Sequence, residues 1–358
     1  MASSTTHEPQ TRSGNRRLIK CLVWDLDDTL WQGTLLEDSE VIVNKHAARA
    51  VRTLDDRGIL QSIASRNDYS RAASELKRIG LFEYFLHPQI NWNSKVSSIQ
   101  TIAKSLNIAL DSIAFIDDQL IERDEVRFSM PEVLCLDPSA FPGLLLRPEL
   151  TPQFVSDDAR NRRLRYLSDI ERNKAEEEFV GPREEFLASL DMVFTISTAK
   201  SGDLDRLKEL TIRTNQLNTT GYTYSHDELD YFRKSPRHRL LVASLSDKYG
   251  DHGTVGLTLI ERLSHRWTIK LLLMSCRVMS RGVGMILVNH ILTAAEDENA
   301  QVFAEFVPND RNRNMYATYR FAGFKEIRRV NELTIMKSEM KRSHAFPDYV
   351  RVEVEDCP

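Results

Sequence analysis

The sequence predicts an α/β fold: a doubly wound parallel sheet of Rossmann-like type, followed by a second α/β domain. Three observations point there. The apolar runs Ile19–Trp24, Ile59–Ala64 and Ile113–Ile116 each stop at a polar residue, and helix-length segments separate them. A Pro-punctuated stretch, Pro138 to Pro152, interrupts this alternation. A new strand-and-helix alternation then begins near residue 190. At 358 residues the chain is long enough for two cores.

The first half reads strand, helix, strand, helix, strand, helix, strand from Leu18 to about Asp137. Between Asp28 and Ser65 there is only a flap, Trp31 to Asn44, and one helix around Ala47 to Arg57. Between Ser65 and Lys95 there is one helix and one short strand. Neither interval holds an inserted domain. A charged helix, about Asp157 to Phe179, follows the Pro-rich boundary and ends at Gly181-Pro182. Its Arg160, Arg162, Arg163 and Arg165 read either as a solvated connector or as a docking surface for an acidic partner.

In the second half, Leu240–Leu245 and Val255–Arg262 read as strands around a turn, Lys248-Tyr249-Gly250-Asp251-His252-Gly253. Trp267–Met274 is a third strand with Ser275-Cys276 at its end. A helix follows Arg281-Gly282-Val283-Gly284, then a strand at Val302–Val307 and a helix at Asn312–Phe321. The expected organisation is a disordered tail at 1–17, a first domain at 18–150, a helical linker at 151–189, a second domain at 190–340 and a tail at 341–358.

Composition narrows the function. The formal net charge is −4, which gives no general affinity for nucleic acid. Four cysteines, at 21, 135, 276 and 357, form neither a metal cluster nor a disulfide framework, as in a reducing cytoplasm. No apolar run reaches the length of a membrane span. Residues 1–17 lack an apolar signal core.

The chemistry centres on Asp25-Leu26-Asp27-Asp28-Thr29 at the end of the first strand. Two carboxylates at i and i+2 on the carboxyl edge of a sheet repel unless they share a proton or a cation, and a hard divalent ion such as magnesium suits oxygen donors. Ser65, Lys95 and the pair Asp117-Asp118 then follow in order, each at a strand end or a helix start. This order resembles the haloacid dehalogenase (HAD) superfamily of phosphatases, whose motifs are DxDx[TV], Ser/Thr, Lys and an acidic pair, here over about residues 17–137. The resemblance implies a capless HAD-type domain in which Asp25 attacks phosphorus and Asp27 serves as acid and base. Ser65 and Lys95 hold the phosphoryl oxygens. Magnesium is expected at Asp25, at the Asp27 carbonyl, and at Asp117 or Asp118. An uncapped site is open to a group carried on a protein.

The second half resembles the GNAT acyltransferase fold, in which a Gly-containing turn and a helix N-terminus bind coenzyme A. That implies cofactor contacts at Arg281, Gly282, Val283, Gly284, Asn312 and Tyr319. Met279 stands where the family's pyrophosphate loop has Gln or Arg. Both halves together resemble the FkbH-like family, HAD subfamily IIIC, in five stretches: Trp24 to Trp31, Phe115 to Asp118, Thr214 to Asn218, Gly250 to Gly253 and Ser275 to Val283. Gln119-Leu120 replaces the family's Asn-Pro. The resemblance implies transfer of the glyceryl group of 1,3-bisphosphoglycerate to the phosphopantetheine thiol of an acyl carrier protein, with dephosphorylation, for polyketide assembly. In that scheme Cys276 is the candidate thiol nucleophile, with a buried small hydrophobe as the other reading. His252 is either its base or a turn residue. Cys21 and Cys135 are expected in the core. The alternative function is a magnesium phosphatase with a structural GNAT-like domain.

Overall fold

The computed structural model describes residues 18–38, 40–152, 155–214, 217–339 and 346–355. The expected N-terminal tail, Asn215-Gln216 and Cys357 lie outside the described residues. The chain forms two compact units that divide at Ile170/Glu171.

In the first unit, β1 (Cys21–Trp24) is followed by a small hairpin of β2 (Trp31–Gln32) and β3 (Ile42–Val43). Next come α1 (Lys45–Asp56), β4 (Leu60–Ser65), α2 (Tyr69–Arg78), β5 (Gln89–Ile90) and α3 (Lys95–Leu106). The series ends with β6 (Ile113–Ile116), α4 (Leu120–Ser129), β7 (Leu134–Leu136), the short α5 (Phe141–Leu144) and α6 (Asp157–Arg160), and the start of α7 (Arg162–Glu178). The sheet has the order β5-β4-β1-β6-β7, with every pairing parallel.

Alternation along the strands sends residues to two cores, as a sheet covered on both faces requires. Leu22 and Trp24 face Val51 and Leu54 of α1 and Leu76 of α2. Cys21 and Val23 face Ile99 and Ile102 of α3 and Val126 of α4. Cys21 is therefore core, as expected, but Cys135 on edge strand β7 is only half-buried.

The charged helix expected over 157–179 is two helices, broken at Asn161. Arg160 is exposed and solvated, beside Asp157 at 3.6 Å, but the other three arginines are engaged within the unit. Arg162 donates to the Gly58 carbonyl, Arg163 pairs with Asp55 and lies over the Tyr84 ring, and Arg165 pairs with Asp158. Gly58 has φ +68°, and an added Cβ would meet the Ala159 carbonyl at 2.6 Å, so only glycine fits that approach.

The second unit runs α8 (Arg183–Ala188), β8 (Met192–Thr198), α9 (Leu204–Arg213), α10 (His226–Lys234), β9 (His238–Asp247) and β10 (Gly250–Leu263). It continues with β11 (Arg266–Met274), α11 (Val283–Asp297), β12 (Gln301–Phe306), α12 (Arg313–Phe321), β13 (Phe324–Val330), β14 (Leu333–Ser338) and β15 (Val350–Glu355). Its eight-stranded mixed sheet has the order β13-β14-β12-β11-β10-β9-β8-β15. On β9, Leu240 and Val242 pack with Leu207 and Leu210 of α9. Leu241, Ala243 and Leu245 turn to the other face, toward Ile286 and Leu287 of α11.

Two expectations change here. Residues 350–355 are not tail: they pair in parallel with Met192–Ser197 of β8. The stretch Gly250–Gly253 is not a turn but the start of β10, with a register shift between Asp251 and Gly253. The hairpin turns at Lys248-Tyr249 instead, so His252 is a strand residue and almost fully buried.

Candidate active site

The parallel register assembles the first unit's site. Trp24 pairs with Ile63 on one side and Ile116 on the other, so the chain leaves all three strands at one edge. Asp25, Ser65 and Asp117 are the first polar residues there, and all three are buried. The Asp25 N–H donates to the Ile116 carbonyl, which holds Asp25 beside Asp117. Lys95 is the first residue of α3, and the helix starts there because the Ser94 hydroxyl caps it, accepting from the Ser97 N–H. Lys95 is 3% exposed, so its charge needs partners. Its ammonium donates to Asp25 Oδ1 and to the Ala64 carbonyl at 2.8 Å, and it lies 3.1 Å from Asp117 Oδ2.

Asp25, Asp117 and Asp118 each present a carboxylate oxygen within 4.8 Å of the others. Burial pushes the Asp25 carboxyl up to about 7, and the Asp117 charge adds to this against the pull of Lys95. Asp117 Oδ1 accepts from the Gln119 N–H at 2.8 Å, whereas the buried Oδ2 has the Lys95 ammonium at 3.1 Å, which Asp25 shares. Burial also raises the carboxyl of half-buried Asp118, which meets Thr29 Oγ1 at 3.4 Å. One lysine does not balance three close carboxylates. The donor set is all oxygen, crowded and short of one positive group, and it fits a divalent magnesium ion.

Asp27 is set apart from that cluster. Its Oδ1 accepts from Trp31 Nε1 at 2.8 Å and from the Leu35 N–H at 3.1 Å, and its Oδ2 accepts from Asn67 Nδ2 at 3.0 Å. Burial raises its pKa, partly offset by the Trp31 hydrogen bond. With the side chain so held, the carbonyl is the Asp27 group left for a metal. Trp31 and Asn67 are site residues that the motif pattern did not reveal. Arg123 is a third: buried on α4, it donates to the carbonyls of Asp117 and Asp118 at 2.6 and 2.7 Å and fixes the acidic turn. Trp92, 68% exposed, lies three residues before Lys95, and Leu120, 59% exposed, two after Asp118.

In the second unit the expected residues fall into separate roles. Cys276 is half-buried and follows β11 at the start of a 3-10 turn, Cys276–Arg281. Its neighbour Arg277 donates to the His252 carbonyl at 2.9 Å. The His252 ring meets Asp247 Oδ2 at 3.2 Å, and Arg172 of α7 grips the same carboxylate with Nε and Nη2 at 2.5 and 2.8 Å. His252 thus belongs to a buried ion network and not to a surface turn.

Most expected cofactor contacts are engaged inside the unit. Arg281 is buried and pairs with Glu176 at 3.0 Å; Val283 and Tyr319 are core. The Asn312 amide donates to the carbonyls of Asn218 and Val307 at 3.0 and 2.9 Å. Gly282, with φ +73°, and the open Gly284 keep the turn-to-helix geometry.

Beyond Ile269↔Ala304, β11 and β12 no longer pair. The segment Leu217–Thr219 bridges them there. Thr219 N–H donates to the Leu272 carbonyl, Met274 N–H to the Leu217 carbonyl, and Val307 N–H to the Thr219 carbonyl, all at 2.9–3.0 Å.

No family profile matches the chain. Over 139 residues, 34% of this chain and 78% of the relative, the sequence is 27% identical to magnesium-dependent phosphatase 1 of Homo sapiens. Among solved structures, the chain is similar to the N-terminal, phosphatase-domain part of a Bacteroides fragilis protein in complex with magnesium: 29% identity, TM-score 0.34, 38% of this chain covered. The chain spans 41% of that protein's length. It is also similar to the ribosomal-protein-S18-alanine N-acetyltransferase of Escherichia coli, with 17% identity and TM-score 0.32 over 43% of this chain and 100% of the other. The fold class is the expected one in outline: a parallel α/β sheet followed by a second α/β unit with a mixed sheet. No described helix is long and apolar enough to cross a membrane.

Proposed function

We propose that the first unit is a magnesium-dependent phosphohydrolase of HAD type. The observation that carries this reading is the buried junction of Asp25, Asp117 and Lys95 at one sheet edge, with Asp118 beside it. Asp25 is the nucleophile: its carboxylate attacks phosphorus, and the P–O bond to the leaving group breaks. Lys95 and the Ser65 hydroxyl hold the phosphoryl oxygens. Asp27, oriented by Trp31 and Asn67, gives a proton to the leaving oxygen and takes one from the hydrolytic water. Magnesium, held by Asp25, the Asp27 carbonyl and Asp117 or Asp118, would neutralise the carboxylates and polarise the phosphoryl group.

The finer reading is that the protein loads a glyceryl group from 1,3-bisphosphoglycerate onto the phosphopantetheine thiol of an acyl carrier protein and removes the second phosphate. Support comes from the family resemblance, from the absence of an inserted domain among the described residues between Asp28 and Lys95, and from the half-buried thiol of Cys276. The thiol adds to the acyl carbon, the bond to phosphate oxygen breaks, and phosphate departs. Mass spectrometry after incubation with 1,3-bisphosphoglycerate and a carrier protein tests it. A hydroxylamine-labile glyceryl thioester on the wild type, absent from Cys276→Ala, is the expected result. A carrier loaded at full rate by Cys276→Ala removes the covalent step, and a carrier never loaded removes the transfer.

One observation favours the second reading, a phosphatase with a structural GNAT-like unit. Leu217–Thr219 fills the parting of β11 and β12 with the chain's own backbone, and Asn312 and Tyr319 are buried there. Phosphate release without any acyl transfer is what that reading expects.

A further inference from the structure

An open cleft of about 390 Å³ lies on the first unit, and none of the acidic residues of the active site lines it. Lys45, Arg49 and Arg52 of α1 line one side, and Val43, Ala48 and Ile79 contribute apolar surface. The three cations fall at i, i+4 and i+7 and therefore share one helix face over about 10 Å. All three are exposed, and none has an ion pair or hydrogen bond among the described residues. This sets them apart from Arg57, Arg66, Arg78, Arg123 and Arg163 of the same unit, which are all engaged.

We infer that this cleft is a docking surface for an acidic, amphipathic helix of a partner protein. Charge complementarity decides the occupant. A lone phosphate is held by donors that converge on it, whereas three cations strung along a helix address a row of carboxylates with the same spacing. The N-terminus of α1 is also closed to a small anion, because the Asn44 side chain already accepts from the His46 and Ala47 N–H groups. An apolar side chain of the partner would rest on Val43 and Ile79, giving the neutral core that a charged rim surrounds in protein interfaces.

The cleft is linked to the catalytic machinery by one hairpin. Val43 on β3 pairs with Trp31 on β2, and Trp31 donates to Asp27. A helix seated on Val43 therefore touches the hairpin that orients Asp27. The inference does not depend on the identity of the phosphorylated substrate.

The test uses the full-length protein and a fluorescent, helix-forming peptide of about 20 residues with Glu at i, i+4 and i+7 and Leu on the adjoining face. Anisotropy should show saturable binding that weakens at least ~10-fold between low and high salt, as screened charge pairs require. K45E/R49E/R52E should weaken it by a further ~10-fold or more, and the neutral K45Q/R49Q/R52Q by an intermediate amount. The same charge change at exposed Lys104, Arg328 and Arg329 should leave binding as in the wild type. Circular dichroism and phosphate release on each variant show that the fold is kept. Equal binding by wild type and the K45E/R49E/R52E protein would overturn the inference. So would displacement of the peptide by equimolar inorganic phosphate, or preferential binding to anionic lipid vesicles.

Discussion

Trp31 Nε1 donates a 2.8 Å hydrogen bond to Asp27 Oδ1, joining the flap hairpin to the second carboxylate of the first motif. The flap is therefore a part of the site. Its strand register, Trp31 opposite Val43, sets where the indole points, and burial of the ring keeps it there. Trp31→Phe retains most of the packing and removes the donor. Phosphate release should fall about 5-fold, the rate equivalent of one hydrogen bond of about 1 kcal/mol. Thermal melting should show a folded protein, and an unchanged kcat would contradict the orienting role.

Asn67 holds the other Asp27 oxygen at 3.0 Å. Asn67→Asp keeps the shape but sets a carboxylate against a carboxylate. The rate should drop more than in Asn67→Ala, and the acid limb of the pH–rate profile should move up, since a like charge raises the Asp27 pKa. A profile that superimposes on the wild type would show that Asn67 does not face Asp27 during turnover.

Lys95 is buried between Asp25 and Asp117. Lys95→Met should cost about 3–5 kcal/mol without added metal, because two buried carboxylates lose their cation. Magnesium should then raise the melting temperature of the variant more than that of the wild type, while phosphate release falls by about 100-fold or more. Equal magnesium shifts in both proteins would argue against a shared acidic site.

In the second unit, Asp247 is opposed by burial, but the hydrogen bonds from His252 and Arg172 hold its carboxyl well below the usual range. A carboxyl depressed in the folded state stabilises the fold above its unfolded pKa of about 4, and that contribution is lost as pH falls toward the folded value. Arg172→Met should therefore be much less stable than the wild type at pH 7, by about 3–5 kcal/mol for a broken buried pair. The gap should narrow in denaturant titrations at about pH 3, where the wild type also loses its advantage. A gap independent of pH would place the effect in packing instead.

The acidic site was legible because each of its groups ends an apolar strand or begins a helix. Asp25, Ser65, Lys95 and Asp117 need only parallel register to meet. Trp31 and Asn67 were not legible, since their contacts with Asp27 cross a hairpin and a loop and follow no spacing. The glycines at 250 and 253 suggested a turn around His252, but they serve a bulged strand, with Gly253 at φ +68°. The alternation Val350, Val352, Val354 did mark a strand, obscured by its place after a charged stretch. Leu217–Thr219 could not be foreseen, because its partners lie about 55 and 88 residues away and the contacts are made by backbone. Arg162, Arg163 and Arg165 of α7 read as a surface because composition does not reveal that a carbonyl, Asp55 and Asp158 await them.

The most direct measurement is phosphate release from a small phosphate ester by wild-type protein and by Asp25→Asn, each stripped of metal and then titrated with magnesium. The substitution keeps the side-chain volume and removes the nucleophile and one anionic donor. The wild type should be silent after metal removal and recover with magnesium, while Asp25→Asn should stay silent at every concentration, with circular dichroism showing an intact fold. Release by Asp25→Asn at the wild-type rate, or by metal-stripped wild type at full rate, would contradict the assignment of Asp25 and its acidic neighbours as a magnesium-dependent phosphohydrolase centre.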